Sequence, residues 1–129
     1  NGGKVVGTYV LELVDDEEPP YRVYHDSYLD PETGIFYNQF VMEVRSGYIE
    51  LRENESFYLS LQLRLTADGV VNNGIFEFEG EWDQVGDDVI LRVHFPYEAQ
   101  QVLERDGSWL GTSIDFMGFG EEFYLEFKR

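Results

Sequence analysis

Apolar and polar residues alternate along almost the whole chain, and this period of two constrains the fold more than any other feature. In the segment "GEWDQVGDDVILRVHF" (80–95), Trp82 precedes a turn, and Val89, Leu91 and Val93 alternate after it. Successive side chains of a β-strand point to opposite faces of a sheet, so this pattern predicts strands with one buried face. Helical spacing is nearly absent. We therefore predict an all-β chain.

Turn residues divide the alternation into ten predicted strands. They are 4–14, 21–28, 35–45, 48–53, 56–66, 74–83, 88–95, 98–105, 108–117 and 121–128. The clearest turn is Asp106–Gly107, because both residue types suit the positive φ angles of a two-residue hairpin turn. The "SG" dipeptide at 46–47 is interpreted as another turn, and 67–73 as a loop.

Centring each hairpin on its turn keeps the apolar residues on one face of the sheet throughout. One such pairing sets Leu103 opposite Leu110 and Gln101 opposite Thr112. A long meander exposes two edges unless its first strand pairs with its last, and both of these strands carry matching apolar rows. We therefore predict one domain over 1–129, a single up-and-down antiparallel meander closed into a barrel of roughly eight to ten strands. The weakly alternating 21–28 is either a strand or a loop over the barrel mouth.

The segments "GTYVLEL" (7–13) and "EEFYLEFKR" (121–129) resemble the calycin group, which comprises lipocalins, fatty-acid-binding proteins and avidins. They are most similar to the small lipocalin-like proteins of bacteria. In such families a Gly-x-Trp opens the first strand, and its ring packs under a basic residue late in the last strand. The resemblance assigns Gly7 and Tyr9 to the first element, with Tyr in place of Trp, and Lys128 or Arg129 to the second.

This resemblance implies a barrel that holds apolar ligands. It also implies relatives that are exported, often lipid-anchored, and mostly of unassigned function. A periplasmic or secreted location is the resulting expectation, although no signal-peptide pattern opens this sequence.

The inward positions predict a closed floor and an open mouth. The floor consists of inward aromatic residues: Tyr9, Phe57, Trp82 and Phe127. The predicted ligand-binding residues are Leu61, Leu63, Leu91, Val93, Gln101, Thr112, Ile114 and Leu125, with Phe95, Phe116 and Phe119 guarding the mouth. Gln101 and Thr112, with Asn38 as a third candidate, either hydrogen-bond within the protein or orient the polar end of a ligand. A barrel filled by its own side chains is the alternative.

Composition excludes several classes of protein. Twenty-six acidic against nine basic residues give a net charge of −17, which disfavours binding to nucleic acid or to anionic lipid. No apolar run reaches the roughly 18 residues of a membrane span, so insertion is not expected. The chain has no cysteine and two histidines, so we expect no disulfide, thiol nucleophile, metal site or cofactor.

Acidic residues at every second position, Glu77, Glu79 and Glu81, could suggest a cation site. The predicted register instead sets Glu77 between Arg64 and His94 and sets Glu79 between Gln62 and Arg92. Cross-strand pairing on an outer surface then accounts for the acidic row.

Three functions remain open. The first is non-catalytic binding or transport of a small apolar molecule, which we prefer because no nucleophile elbow, phosphate loop or inward carboxylate pair occurs. The second is a small-barrel enzyme of the cyclase or isomerase type, with His25 as a weak candidate for its acid or base. The third is an acidic protein-interaction module. Its outward rings, Tyr48, Tyr58, Trp109 and Tyr124, would support a homodimer if they form one patch.

Overall fold

The alternating sequence forms strands throughout the part of the chain that is described. The computed structural model describes residues 5–25, 28–37, 39–115 and 122–129, with residues 24, 25, 28 and 37 described by their backbone alone. These ranges contain no helix. Their strands are β1 (Gly7–Val14), β2 (Tyr21–His25), β3 (Tyr28–Leu29), β4 (Phe36–Tyr37), β5 (Phe40–Leu51), β6 (Ser56–Ala67), β7 (Val70–Val85), β8 (Asp88–Phe95), β9 (Ala99–Asp106), β10 (Trp109–Ile114) and β11 (Phe123–Lys128).

Eight of these strands close into an antiparallel up-and-down barrel. Strands β5 to β11 pair in chain order, β11 pairs with β1, and β1 pairs with β5. The predicted pairing of the first strand with the last is therefore confirmed. The C-terminal part of β5 (Tyr48–Leu51) pairs with β1. The N-terminal part of β5 (Phe40–Val44) pairs with β2, which is an additional strand. The segment 21–28, for which a strand and a loop were both open, thus forms a strand over Tyr21–His25.

The turns define two ends of the barrel. The segments 52–55, 86–87 and 107–108 lie at one end, which we call the floor end. The segments 15–20, 68–69 and 96–98 lie at the other, which we call the mouth end. The chain between β2 and β5, which includes the β3–β4 hairpin, leaves and rejoins the barrel at the mouth end.

The hydrophobic core lies inside the barrel. The strands contribute apolar side chains to it at every second position. Its most buried large side chains are Tyr9, Phe57, Phe127, Met42, Ile49, Leu51, Leu59, Leu61, Leu91, Leu103, Leu110 and Leu125. Burying each such side chain contributes about 1.5–3 kcal/mol relative to leaving it exposed.

The predicted turn at 46–47 is wrong, because the chain runs straight through it as β5. A bulge between Val44 and Ser46 inserts one residue, so that buried positions change from even numbers to odd numbers along the strand. Gly47 lies against β6, where an added Cβ would be 2.6 Å from Leu61 Cδ2 and 2.8 Å from the Ser60 carbonyl oxygen. Glycine therefore allows the close approach of two strands here.

The predicted loop at 67–73 is also wrong. Asp68 and Gly69, with φ of 48° and 83°, make a two-residue turn, and β7 begins at Val70. The shorter turn slides the register between β6 and β7, so Glu77 lies opposite Ser60 and not opposite Arg64.

The acidic row of β7 points outward as predicted, but its predicted partners are wrong. The Tyr58 hydroxyl donates a hydrogen bond of 2.9 Å to Glu77. His94 contacts Glu81 at 3.2 Å and Glu98 at 3.1 Å. Glu79 lies opposite Tyr58 on one side and opposite Phe95 on the other.

The hairpin predicted to turn at Asp106–Gly107 turns one residue later, at Gly107–Ser108, because Asp106 pairs with Trp109 and only Gly107 of the predicted pair has a positive φ. The register is therefore two residues away from the predicted one. Leu110 lies opposite Arg105, not Leu103. An even slip returns each side chain to the same face, and the inward assignment of β9 and β10 is therefore unaffected.

Candidate functional site

The floor of the barrel closes around Tyr9. Its hydroxyl donates to the Val5 carbonyl at 2.7 Å, and the Arg129 guanidinium lies 5.5 Å from its ring centroid. Arg129 Nη1 also donates to the Val6 carbonyl at 3.1 Å. Burial raises the pKa of the Tyr9 phenol, although the cations of Arg129 and Arg105 oppose the shift, so the phenol keeps its proton at neutral pH.

Of the two basic residues that the resemblance left open, Arg129 occupies the position over Tyr9. The Lys128 ammonium lies over the outward Trp109 ring, 5.5 Å from its centroid. Gly7 has a φ of 148°, and a Cβ there would lie 2.9 Å from Arg129 Cδ. The glycine therefore leaves room for the arginine side chain to cross the floor.

The other predicted floor residues are buried at the same end. Trp82 donates its indole N–H to the Arg52 carbonyl at 2.9 Å, which ties the ring to the turn between β5 and β6. Phe57 and Phe127 are at most 1% exposed. This end of the barrel is filled by rings.

Five of the predicted ligand-binding residues lie in the packed middle of the barrel. Leu61, Leu91, Val93 and Leu125 have no exposed surface, and Ile114 is 5% exposed. These side chains face inward as predicted and belong to the core cluster. Alternation predicts which face of a strand points inward. How deeply a side chain is buried along the barrel axis depends on how the neighbouring side chains pack around it.

Toward the mouth end the inward apolar residues become partly exposed. Leu63, Leu65, Ala67, Phe76 and Val23 are half-buried against the core. Only Leu63 of this group was among the predicted site residues. Leu65 and Ala67 follow Leu63 by the same alternation toward the mouth, and Phe76 lies opposite Leu61 in the pairing of β6 and β7.

An aromatic series leads from this half-buried region to the rim. The ring centroids of Phe76 and Phe78 lie 4.7 Å apart, and those of Phe78 and Tyr97 lie 5.8 Å apart at 87°. Tyr97 is 53% exposed. Phe95, predicted to guard the mouth, is also 53% exposed, and it lies at the mouth end of β8.

The mouth end carries a concentration of exposed apolar side chains, which we call the apolar rim. Its members are Leu29, Ile35, Phe36, Val70, Val71, Phe95 and Tyr97. They come from the β3–β4 hairpin, the start of β7 and the segment between β8 and β9. Exposed apolar side chains that form one patch mark binding sites on soluble proteins, so the apolar rim is a candidate for such a site.

Gln101 and Thr112 form a hydrogen-bonded chain inside the wall. The Gln101 amide N–H₂ donates to Thr112 Oγ1 at 2.5 Å and to the Ser113 carbonyl at 2.9 Å. The Thr112 hydroxyl in turn donates to the Val102 carbonyl at 2.8 Å. The two side chains therefore satisfy each other, as one of the two predicted alternatives requires. In the described part of the chain, the Gln101 carbonyl oxygen has no hydrogen-bond donor.

Several predicted positions lie outside the described residues. Phe116, Phe119 and Asn38 are among them. The backbone of His25 pairs with Phe40 at the mouth end of β5, and its side chain is outside the description. The assignment of His25 as an acid or base stays a prediction.

The outward rings are each half-buried by neighbours. Tyr48 contacts Tyr58 with ring centroids 5.7 Å apart. Tyr124 lies over Gly111, where an added Cβ would be 2.2 Å from the phenol oxygen. Within the described ranges, no three histidine, aspartate or glutamate side chains are close enough to hold a metal ion. No helix in the described ranges is long and apolar enough to cross a membrane.

Comparison with protein-family models, with curated proteins and with solved structures found no match to this chain.

Proposed function

We propose that this protein is a lipocalin-like barrel that binds a small apolar molecule at its mouth end, without catalysis. The observation that carries the proposal is the gradient along the inward face. Apolar side chains are fully buried in the middle, half-buried at Leu63 and Phe76, and exposed on the apolar rim. Exposed apolar surface costs about 25 cal/mol per Å², and a ligand seated in the mouth would remove that cost.

In this proposal the ligand seat lies nearer the mouth than Leu61 and Leu91, which the sequence predicted to line it. Leu63, Leu65 and Phe76 form its inner wall, and Tyr97 and Phe95 form its rim. Gln101 supplies a polar contact through its carbonyl oxygen, which accepts a hydrogen bond from a ligand hydroxyl or amide. A mostly apolar lining with one positioned polar group is typical of small-molecule sites. The Arg129 contact with Tyr9 supports the lipocalin-like assignment.

A neutral fluorescent probe tests this seat. We expect N-phenyl-1-naphthylamine to bind with increased emission, and Leu63→Trp to weaken its binding at least tenfold, because the larger ring fills the seat. Val102→Trp is the matched control. Because Val102 lies on the outer wall and is 42% exposed, this variant should bind the probe with unchanged affinity. Retained affinity in a Leu63→Trp protein with an unchanged circular dichroism spectrum would contradict the proposal.

Native mass spectrometry of freshly purified protein gives an independent test. A discrete excess mass that disappears on denaturation would show that a molecule co-purifies with the barrel. Leu63→Trp should lose that excess mass, and Val102→Trp should retain it.

A further inference from the structure

The outer wall of the barrel carries a group of arginines, although the chain as a whole has a net charge of −17. Arg22 Nε and Arg45 Nη1 donate to the two oxygens of Glu43, at 2.7 Å and 2.6 Å. Glu43 is 5% exposed, so its carboxylate is enclosed by these two partners. This ion-paired unit spans β2 and β5.

A third arginine lies beside this unit without joining it. Arg64 on β6 is directly opposite Glu43 in the register of β5 and β6. Its Nε is buried and has no hydrogen-bond partner, and no ion pair joins its guanidinium to a carboxylate in the described part of the chain. Glu43 carries one negative charge and already pairs with Arg22 and Arg45, so it does not neutralise Arg64.

Arg45 and Arg64 line a groove of about 750 Å³ on the outer wall. The groove crosses β1, β5 and β6 and reaches β7 at Asn73. Side chains that can donate hydrogen bonds surround the two arginines: Thr8, Ser46, Tyr48, Gln62 and Asn73. The groove also contains the Glu50 carboxylate, which is already paired with Arg52.

We propose that this groove binds an oxyanion, a carboxylate or phosphate group of a small molecule, through Arg64 and Arg45. Guanidinium groups bind planar or tetrahedral oxyanions with paired N–H donors, and such charge-assisted bonds are among the strongest in proteins. Glu43 is not paired with Arg64 in the described structure; its oxygens accept from Arg22 and Arg45. A bound oxyanion would neutralise the charge of Arg64, which pairs with no carboxylate in the described part of the chain.

The local charge also limits the ligand. The unpaired Arg64 charge lies within a strongly acidic surface, so long polyanions such as nucleic acid are repelled outside the groove. A small, singly or doubly charged group fits this pattern. The groove lies on the outer wall of the barrel, and Leu63 borders both this groove and the proposed mouth-end seat, so the two sites are tested with different variants, Arg64→Gln and Leu63→Trp.

Nuclear magnetic resonance titration tests the proposal with inorganic phosphate and, separately, acetate as probes. Each is added at pH 7 and constant ionic strength, with sodium chloride as the compensating salt. We expect saturable shifts at Arg64 Nε–H and at the backbone amides of Ser46, Gly47 and Asn73. Saturation by phosphate alone or by acetate alone identifies the preferred group.

Variants make the outcome decisive. Arg64→Gln should reduce the affinity at least tenfold, and Arg64→Lys should recover part of it, because lysine restores the charge without the paired donors. Arg92→Gln, which removes an exposed arginine on β8, should bind like the unchanged protein. Absence of saturable shifts with both anions, or equal binding in a folded Arg64→Gln protein, would overturn the proposal.

Discussion

At the scale of single residues, the burial of Glu43 differs most from what the sequence predicts. Alternation places it outward from β5, yet it is 5% exposed because Arg22 and Arg45 cover it. Hydrogen bonds from Arg22, followed by those from Arg45, hold the pKa of Glu43 below its ordinary value although burial opposes them. The ionised carboxylate is therefore the form that the fold stabilises.

Glu43→Gln should lower the free energy of unfolding at pH 7 by about 1–3 kcal/mol, because the amide replaces two charge-assisted hydrogen bonds with weaker ones. Urea denaturation of both proteins measures the difference. Glu53→Gln, at an exposed carboxylate in the turn between β5 and β6, is the matched control and should change stability little. A loss no larger than that of the control would contradict the stabilising role of the carboxylate.

The effect of Glu43 depends on pH in a defined direction. Its pKa is lower in the folded chain than in the unfolded chain, where glutamate titrates near 4.3. The stabilisation is therefore complete above that value and is lost as pH falls through the lower folded value. The stability difference between the unchanged protein and Glu43→Gln should be constant from pH 8 to 6 and shrink below about pH 4.3.

At the scale of elements, the approach of β8 to β7 depends on Gly80. A bulge lies between Glu79 and Gly80, and a Cβ on Gly80 would be 1.9 Å from the Arg92 carbonyl oxygen and 3.0 Å from its carbon. Since these are backbone atoms, the strands themselves would have to separate. Gly80→Ala should therefore destabilise the protein by about 1–3 kcal/mol.

Gly74 in the same strand is the matched control. A Cβ there would meet no atom within 4 Å, and its φ is not positive. Gly74→Ala should change stability by no more than about 0.5 kcal/mol, or increase it slightly by restricting the unfolded chain. Thermal unfolding of both variants separates the loss of close approach from the general effect of replacing glycine in a strand. Equal stability of the two would rule out a special requirement at Gly80.

Elements also show how far the sequence predicts the fold. A period of two determines the face of each side chain, so slips of two residues at the Asp106–Gly107 hairpin left the inward set intact. Between Val44 and Ile49 the buried positions change from even to odd numbers. Both a turn and a bulge produce this change, so alternation alone does not distinguish them. β2 pairs with the N-terminal part of β5. This pairing depends on contacts between segments distant in the sequence, so the local alternation of residues does not predict it.

At the scale of the whole molecule, the barrel has two chemically different ends. Rings and Arg129 close the floor end, and apolar side chains remain exposed at the mouth end. The sequence predicted this polarity from the positions of inward aromatic residues. It did not predict that Leu61 and Leu91 would be fully buried, because their packing depends on all the surrounding strands at once.

The net charge of −17 acts on the molecule as a whole. Carboxylates on a compact barrel are closer together than in the unfolded chain, so their mutual repulsion favours unfolding. Salt shortens the distance over which they interact from about 30 Å at 0.01 M to about 10 Å at 0.1 M. We expect the urea midpoint at pH 7 to rise when sodium chloride is increased across this range.

The Arg64→Gln variant separates this general effect from anion binding in the outer groove. If repulsion between carboxylates is responsible, the variant has one cation fewer and should show a rise in midpoint at least as large as that of the unchanged protein. If chloride binding at the arginines is responsible, the rise should be smaller in the variant. A midpoint that falls with salt in both proteins would mean that attractive pairs such as Arg22 with Glu43 outweigh the repulsion of the excess carboxylates.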